Sequence, residues 1–223
     1  MLHAEQRNAP RTTRFRPGLV VAAVLLLGFV VLTVLAWGPL RSLDLTLDSE
    51  RDLGTRGRLL RDLNRYGRPA VYLPLLVLVS GRAAYRAHSF RPLLVATVGV
   101  SALWLMVGGL KLGLGRGSPL QAEPDFMVGG MAYPSGHSAA VVLVYGLIAY
   151  LWCRYTGAPR RTRIALPVLV VVLTVAMVAS SLLLRWHWFT DLLAGVLIGA
   201  AVLQATTTLD RAGVFSRQTP HAP

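Results

Sequence analysis

Tyr133-Pro134-Ser135-Gly136-His137-Ser138 is a tight polar turn that ends in a histidine and opens directly into an apolar run, Ala139 to Leu151. Further along, His187-Trp188-Phe189-Thr190-Asp191 opens a second apolar run, Leu192 to Ala205. Each of these histidines stands at the mouth of a hydrophobic helix. A helix needs about 20 mostly apolar residues to cross a bilayer, and runs of this kind recur along the chain. They decide the fold class: all-α and embedded in a membrane.

Working outward from these two turns, six spans are expected: Gly18 to Trp37, Pro69 to Ser80, Pro92 to Leu110, His137 to Trp152, Ile164 to Leu184 and Trp188 to Thr206. The chain has 223 residues, 54% of them hydrophobic, which leaves too little polar surface for a soluble domain of this size. The second span has the shortest apolar part. The first exceeds the roughly 7–15 residues of a secretory signal and ends in Leu-Ala-Trp-Gly-Pro rather than at a cleavage site, so it reads as uncleaved. Residues 1–17 read as a disordered basic tail, 18–206 as a six-transmembrane-helix bundle and 207–223 as a polar C-terminal tail. Residues 41–68 carry seven arginines and five acids and read as a short interfacial helix between the first two spans. Gly195-x-x-x-Gly199 in the last span would let another helix approach closely.

The net charge of +13 would point to nucleic acid in a soluble protein. Here no arginine-rich face with interleaved aromatics exists, and nucleic acid is not an expected partner. The arginines instead flank the spans, and the shorter loops carry the bias that sets orientation. It predicts both termini and the 82–91 and 154–163 loops on the cytoplasmic side of the cell membrane. The 111–136 loop and the turn at His187 then face outward. Trp37, Trp152, Trp186 and Trp188 fall at span ends, where aromatic belts lie. Cys153 is the single cysteine, so no internal disulfide is possible. No metal-ligand spacing accompanies it, and no cofactor is expected.

Three stretches then meet on the outward side: Lys111 to Pro119, Pro134 to His137, and Ser180 to Asp191. A helix N-terminus presents unpaired N–H groups and a partial positive charge, which suits an anion. Ser135 and Gly136 stand at such a start, and glycine lets the backbone come close. Lys111 and Arg116 add full positive charge, and a guanidinium matches phosphate oxygens. His187 and Asp191 are four residues apart, hence on one helical face. A carboxylate there fixes the imidazole tautomer and leaves the other nitrogen to attack. His137 then serves as acid to the leaving oxygen. An anion cradle, an oriented nucleophile and a proton donor together describe phosphoryl transfer.

These residues resemble the type-2 phosphatidic acid phosphatases, which share their site with vanadium haloperoxidases. The family signature is K-x6-R-P, P-S-G-H and S-R-x5-H-x3-D. Pro134-Ser135-Gly136-His137 matches the second part in full; Lys111 and Pro119 match the first; Ser180, His187 and Asp191 match the third. The likeness runs over about residues 70–206. It implies metal-independent hydrolysis of a lipid phosphate monoester or diphosphate through a phosphohistidine at His187, with Lys111, Ser135 and Gly136 on the phosphate. Undecaprenyl diphosphate, phosphatidic acid and phosphatidylglycerol phosphate are the substrate types it implies. Two departures stand out: the signature arginines are Ser118 and Ser181 here. Arg116 and Arg185 lie near enough in sequence to replace them, and the two serines can donate weaker hydrogen bonds. Transfer of the phosphoryl group to a second lipid, and headgroup binding without catalysis, are the competing readings; the missing arginines favour the latter.

Overall fold

The computed structural model describes residues 11–48 and 53–215, with side chains from Pro17 onward. Within these residues the chain is helical, with no strand. The elements in order are α1 (Arg11–Trp37), α2 (Arg41–Leu47), α3 (Arg56–Asn64), α4 (Pro69–Ala87) and α5 (Arg91–Leu114), then α6 (Gly136–Ala140), α7 (Gly146–Tyr155), α8 (Arg160–Leu183) and α9 (Phe189–Arg211). A π-helical turn, Val141–Tyr145, joins α6 to α7, so Gly136 to Tyr155 form one continuous rod.

Among the described residues, five helical stretches are long and apolar enough to cross a membrane: α1, α5, the α6–α7 rod, α8 and α9. Helix α4 is the sixth long helix. Its 19 residues reach about 28 Å at 1.5 Å per residue, but Arg82 and Arg86 at its end keep it out of that set. It is longer than the expected Pro69 to Ser80 because the chain stays helical past those arginines, until His88 takes a left-handed conformation. Helix α1 likewise begins at Arg11 rather than Gly18. The expected tails survive only in part: residues 1–10 and 216–223 lie outside the described residues, and α9 continues through Arg211.

The centre of the bundle is the α6–α7 rod and α9, which are largely buried, while α1 and α8 expose most of their apolar side chains. That gradient suits lipid rather than water around the outer helices. The α9–α6 contact is made by the Gly195/Gly199 pair. A Cβ on Gly195 would lie 2.3 Å from the Ser135 carbonyl oxygen, and one on Gly199 2.4 Å from that of Ala139. No side chain fits there, so the small-x-x-x-small spacing brings α9 against α6 backbone to backbone. This contact sets the two histidine-bearing helix starts side by side.

The polar 41–68 segment is not a single interfacial helix. It contains α2 and α3, and it buries Asp44, Gly57, Asn64 and Gly67. Trp188 also differs from expectation. It is 1% exposed and donates from Nε1 to the Gly117 carbonyl at 2.9 Å, so it is a core residue rather than part of a belt.

Candidate active site

Helix α6 starts at Gly136 because Ser135 caps it: the Ser135 backbone is extended and its hydroxyl accepts from the Ser138 N–H at 3.4 Å. The Ala139 N–H reaches the Ser135 carbonyl at 3.2 Å. In any helix start the first turn carries the orphan donors, and here those of Gly136 and His137 come at the mouth of a cleft. That cleft has a volume of about 360 Å³ and is lined by Lys111, Gly136, His137 and His187 together with Gly67, Tyr72, Trp104 and Met131. Four residues from three distant stretches of sequence thus border one cavity. Lys111 also donates from Nζ to the Met131 carbonyl, which ties the end of α5 to the following loop.

Behind the cleft lies a buried ionic lock. Arg116 is fully buried. Its Nη2 donates to Asp44 at 2.7 Å and its Nη1 to Asp191 at 2.6 Å and to Thr190 Oγ1 at 2.7 Å. Its Nε donates to the Pro124 carbonyl at 2.9 Å, and its guanidinium lies 4.8 Å from the centroid of Phe126. Asp44 also accepts from the Thr190 N–H and hydroxyl at 3.0 and 2.6 Å. One cation therefore joins α2, the 115–135 loop and α9. Buried ion pairs of this kind persist only when every donor and acceptor is satisfied, and all three nitrogens of Arg116 are.

This arrangement corrects the expectation that Arg116 is a phosphate ligand. Its nitrogens face two carboxylates, not the cleft. Arg185 is likewise held elsewhere: it pairs with Asp48 through two bonds of 2.6 and 2.7 Å and does not border the cleft. Ser118 lies beyond the end of α5 and bonds to Gln121 at 3.1 Å. Ser181 is 1% exposed and donates to Asn64 Oδ1 at 3.0 Å. Ser135 is engaged in capping, and its N–H donates to the Asp191 carbonyl at 2.9 Å. Of the ten sequence-derived candidates, the cleft wall contains Lys111, Gly136, His137 and His187; Asp191 stands directly behind.

His187 Nδ1 lies 3.6 Å from Asp191 Oδ2 and has no hydrogen-bond partner among the described residues. That distance exceeds a hydrogen bond. Asp191 Oδ2 meanwhile accepts from the Trp188 N–H at 3.0 Å. The carboxylate is aimed at the imidazole but held back by the helix cap and by Arg116. Tyr133, beside this group, is a packing residue. Its hydroxyl bonds Thr33 at 2.7 Å, and burial pushes its phenol up to about 12, so it stays neutral.

Sequence reasoning missed Asp44, Thr190 and Asn64. Asp44 is one of five acids in a charged segment, and nothing local distinguishes it. Asn64 carried no motif either. A polar residue becomes informative only once it is seen to be buried.

A model of the PAP2 superfamily matches residues 93–213. The chain belongs to that superfamily. Among solved structures it resembles the crystal structure of the first transmembrane PAP2-type phosphatidylglycerolphosphate phosphatase from Bacillus subtilis, with a TM-score of 0.74 and 22% identity over 85% of this chain and 96% of that one. At that identity the likeness speaks for the fold, a membrane-embedded helical bundle. No curated protein sequence matches the chain.

Proposed function

We propose that the protein is an integral-membrane lipid phosphatase that cleaves a phosphate monoester or diphosphate through a phosphohistidine at His187. The observation that carries this reading is the single cleft bordered by Lys111, Gly136, His137 and His187. The superfamily and the phosphatase fold neighbour support it.

The steps follow from the residues. Lys111 and the first N–H groups of α6 hold the phosphoryl oxygens. His187 attacks phosphorus through Nε2, with Asp191 closing on Nδ1 to steady the imidazolium; such contacts are often long before substrate arrives and tighten in the complex. The P–O bond to the lipid breaks as His137 gives its proton to the leaving oxygen. His137 then takes a proton from water, which attacks the phosphohistidine and releases phosphate and the free imidazole. A positioned acid–base group of this kind contributes roughly a hundred- to ten-thousandfold in rate.

The apolar part of the cleft, with Tyr72, Leu103, Trp104 and Val107 in its wall, suits a substrate whose headgroup sits at the membrane interface. Undecaprenyl diphosphate, phosphatidic acid and phosphatidylglycerol phosphate all have this form. The distribution of arginines among the short loops supports a site on the extracytoplasmic side and both termini in the cytoplasm.

Purified protein in detergent should release phosphate from at least one of these lipids in the presence of a metal chelator, and His187→Ala should abolish release. Activity in the His187→Ala variant equal to wild type would sink the phosphohistidine. The absence of Ser118 and Ser181 from the cleft wall favours one second reading, a headgroup-binding member without turnover. Under that reading no lipid phosphate is hydrolysed until Ser118→Arg and Ser181→Arg are introduced together.

A further inference from the structure

We infer that Arg68 is the arginine that binds the substrate phosphate in this protein, carried to the cleft by a segment that Ser181 holds in place. The inference rests on the phosphoryl-transfer reading of the cleft and deepens it.

Three observations converge. First, Gly67 and Pro69 both line the cleft, and Arg68 lies between them at the start of α4. Its backbone is extended and its side chain exposed. Arg68 and Lys111 are both charged groups within electrostatic reach of the His137 imidazole. Lys111 alone would leave a doubly negative phosphate half-compensated. A guanidinium at this rim supplies the second charge and a forked set of donors.

Second, the segment before Arg68 is fastened at four points. Asn64 is fully buried; its Nδ2 donates to Ser180 Oγ at 2.6 Å and its Oδ1 accepts from Ser181 Oγ at 3.0 Å. Tyr66 donates to the Leu173 carbonyl at 2.9 Å, and Tyr145 donates to the Tyr66 carbonyl at 2.9 Å. Gly67 packs so tightly that a Cβ there would lie 3.1 Å from His137 Cδ2 and 2.5 Å from Met177 Cε. The backbone next to Arg68 is therefore fixed against the imidazole.

Third, the anchor and the departure from the signature are the same residue. Ser181 stands at the position where the signature has an arginine, and it uses its hydroxyl to hold Asn64. A longer side chain at 181 would occupy the space that Asn64 fills. A small residue at that position thus admits the 64–68 segment, and the segment brings an arginine from the other side. Arg65, three residues earlier, is exposed and paired with Asp62 at 3.2 Å, which makes it the control.

Orthovanadate, a phosphate mimic, provides the test, with binding to the detergent-solubilised full chain followed by vanadium-51 NMR and phosphate release measured in parallel. Arg68→Ala should weaken vanadate binding and raise KM by roughly ten- to a hundredfold, the loss of a hydrogen bond to a charged group. Arg68→Lys should recover part of it, and Arg65→Ala should match wild type in both. Ser181→Ala should weaken vanadate binding less than Arg68→Ala, and adding it to Arg68→Ala should cost nothing more. Vanadate affinity unchanged in Arg68→Ala overturns the inference, as does a wild-type protein that binds no vanadate. Arg68-dependent vanadate binding without any phosphate release would instead overturn the phosphatase reading and leave the arginine's role standing. Phosphate release lost in His187→Ala but intact in Arg68→Ala would do the reverse.

Discussion

Arg116 illustrates how a residue's neighbours change its meaning. A buried guanidinium between two carboxylates is a structural cation, and its removal leaves Asp44 and Asp191 without compensation. Breaking such a pair typically costs about 3–5 kcal/mol. Arg116→Ala should therefore lower the melting temperature sharply in detergent, and Arg116→Ala/Asp44→Asn should recover part of the loss. A variant as stable as wild type would show that the lock contributes little. Asp191→Asn bears on chemistry as well as on the lock, so its melting temperature should be measured beside its kinetics. It keeps the shape but removes the charge behind His187, and it should lower kcat by about a hundredfold or more. KM should change little, because Asp191 does not touch the phosphate. At this scale Lys111, His137, His187 and Asp191 were legible from the sequence, since their chemistry and spacing coincide. The partners of Arg116 were not, because hydrogen bonds between residues 72 and 75 positions apart leave no local mark.

Helices were easier to read than their edges. Five of the six expected spans reappear as long apolar helices, because a run of apolar residues is itself the signal. Helix α4 was underestimated because its last turns carry arginines, and α2 and α3 were hidden in a segment whose charge disguised its buried residues. The π-helical turn at Val141–Tyr145 could not be foreseen, as nothing in Val-Val-Leu-Val-Tyr breaks a regular helix. The Gly195/Gly199 contact was visible as a spacing, and its partner only in the structure. Gly195→Val should separate α9 from α6, moving His187 relative to His137. Overpacking of this kind costs typically about 1–3 kcal/mol, and if His187 is the nucleophile proposed above, activity should fall far beyond that fraction of stability. Retained turnover with a lowered melting temperature would show that the pair sets packing alone.

The molecule as a whole divides by end. The starts of α6 and α9 and the end of α5 gather the cleft. The opposite ends of α7 and α9 gather a separate cluster, in which Asp210 is fully buried and accepts from Tyr150 at 2.6 Å, Tyr155 at 2.9 Å, Arg91 at 2.6 Å and Arg154 at 3.1 Å. The two clusters pin the bundle at both faces of the apolar zone. If the arginine bias reads correctly, Cys153 at the second cluster should react with a membrane-impermeant thiol reagent only after the cell is opened, whereas a cysteine placed at Ala122 should react in intact cells. Reversed labelling would invert the orientation and put the cleft inside.

Arg116 has one further consequence. By gripping α2 and α9 at once, it rivets the 115–135 segment behind the cleft, and Trp188 nails the same wall at Gly117. Under the proposed reading the doorway is then sideways, past Tyr72 and Trp104 where α4 and α5 line the cleft, so a tailed substrate would slide in without ever leaving the oil that surrounds the protein.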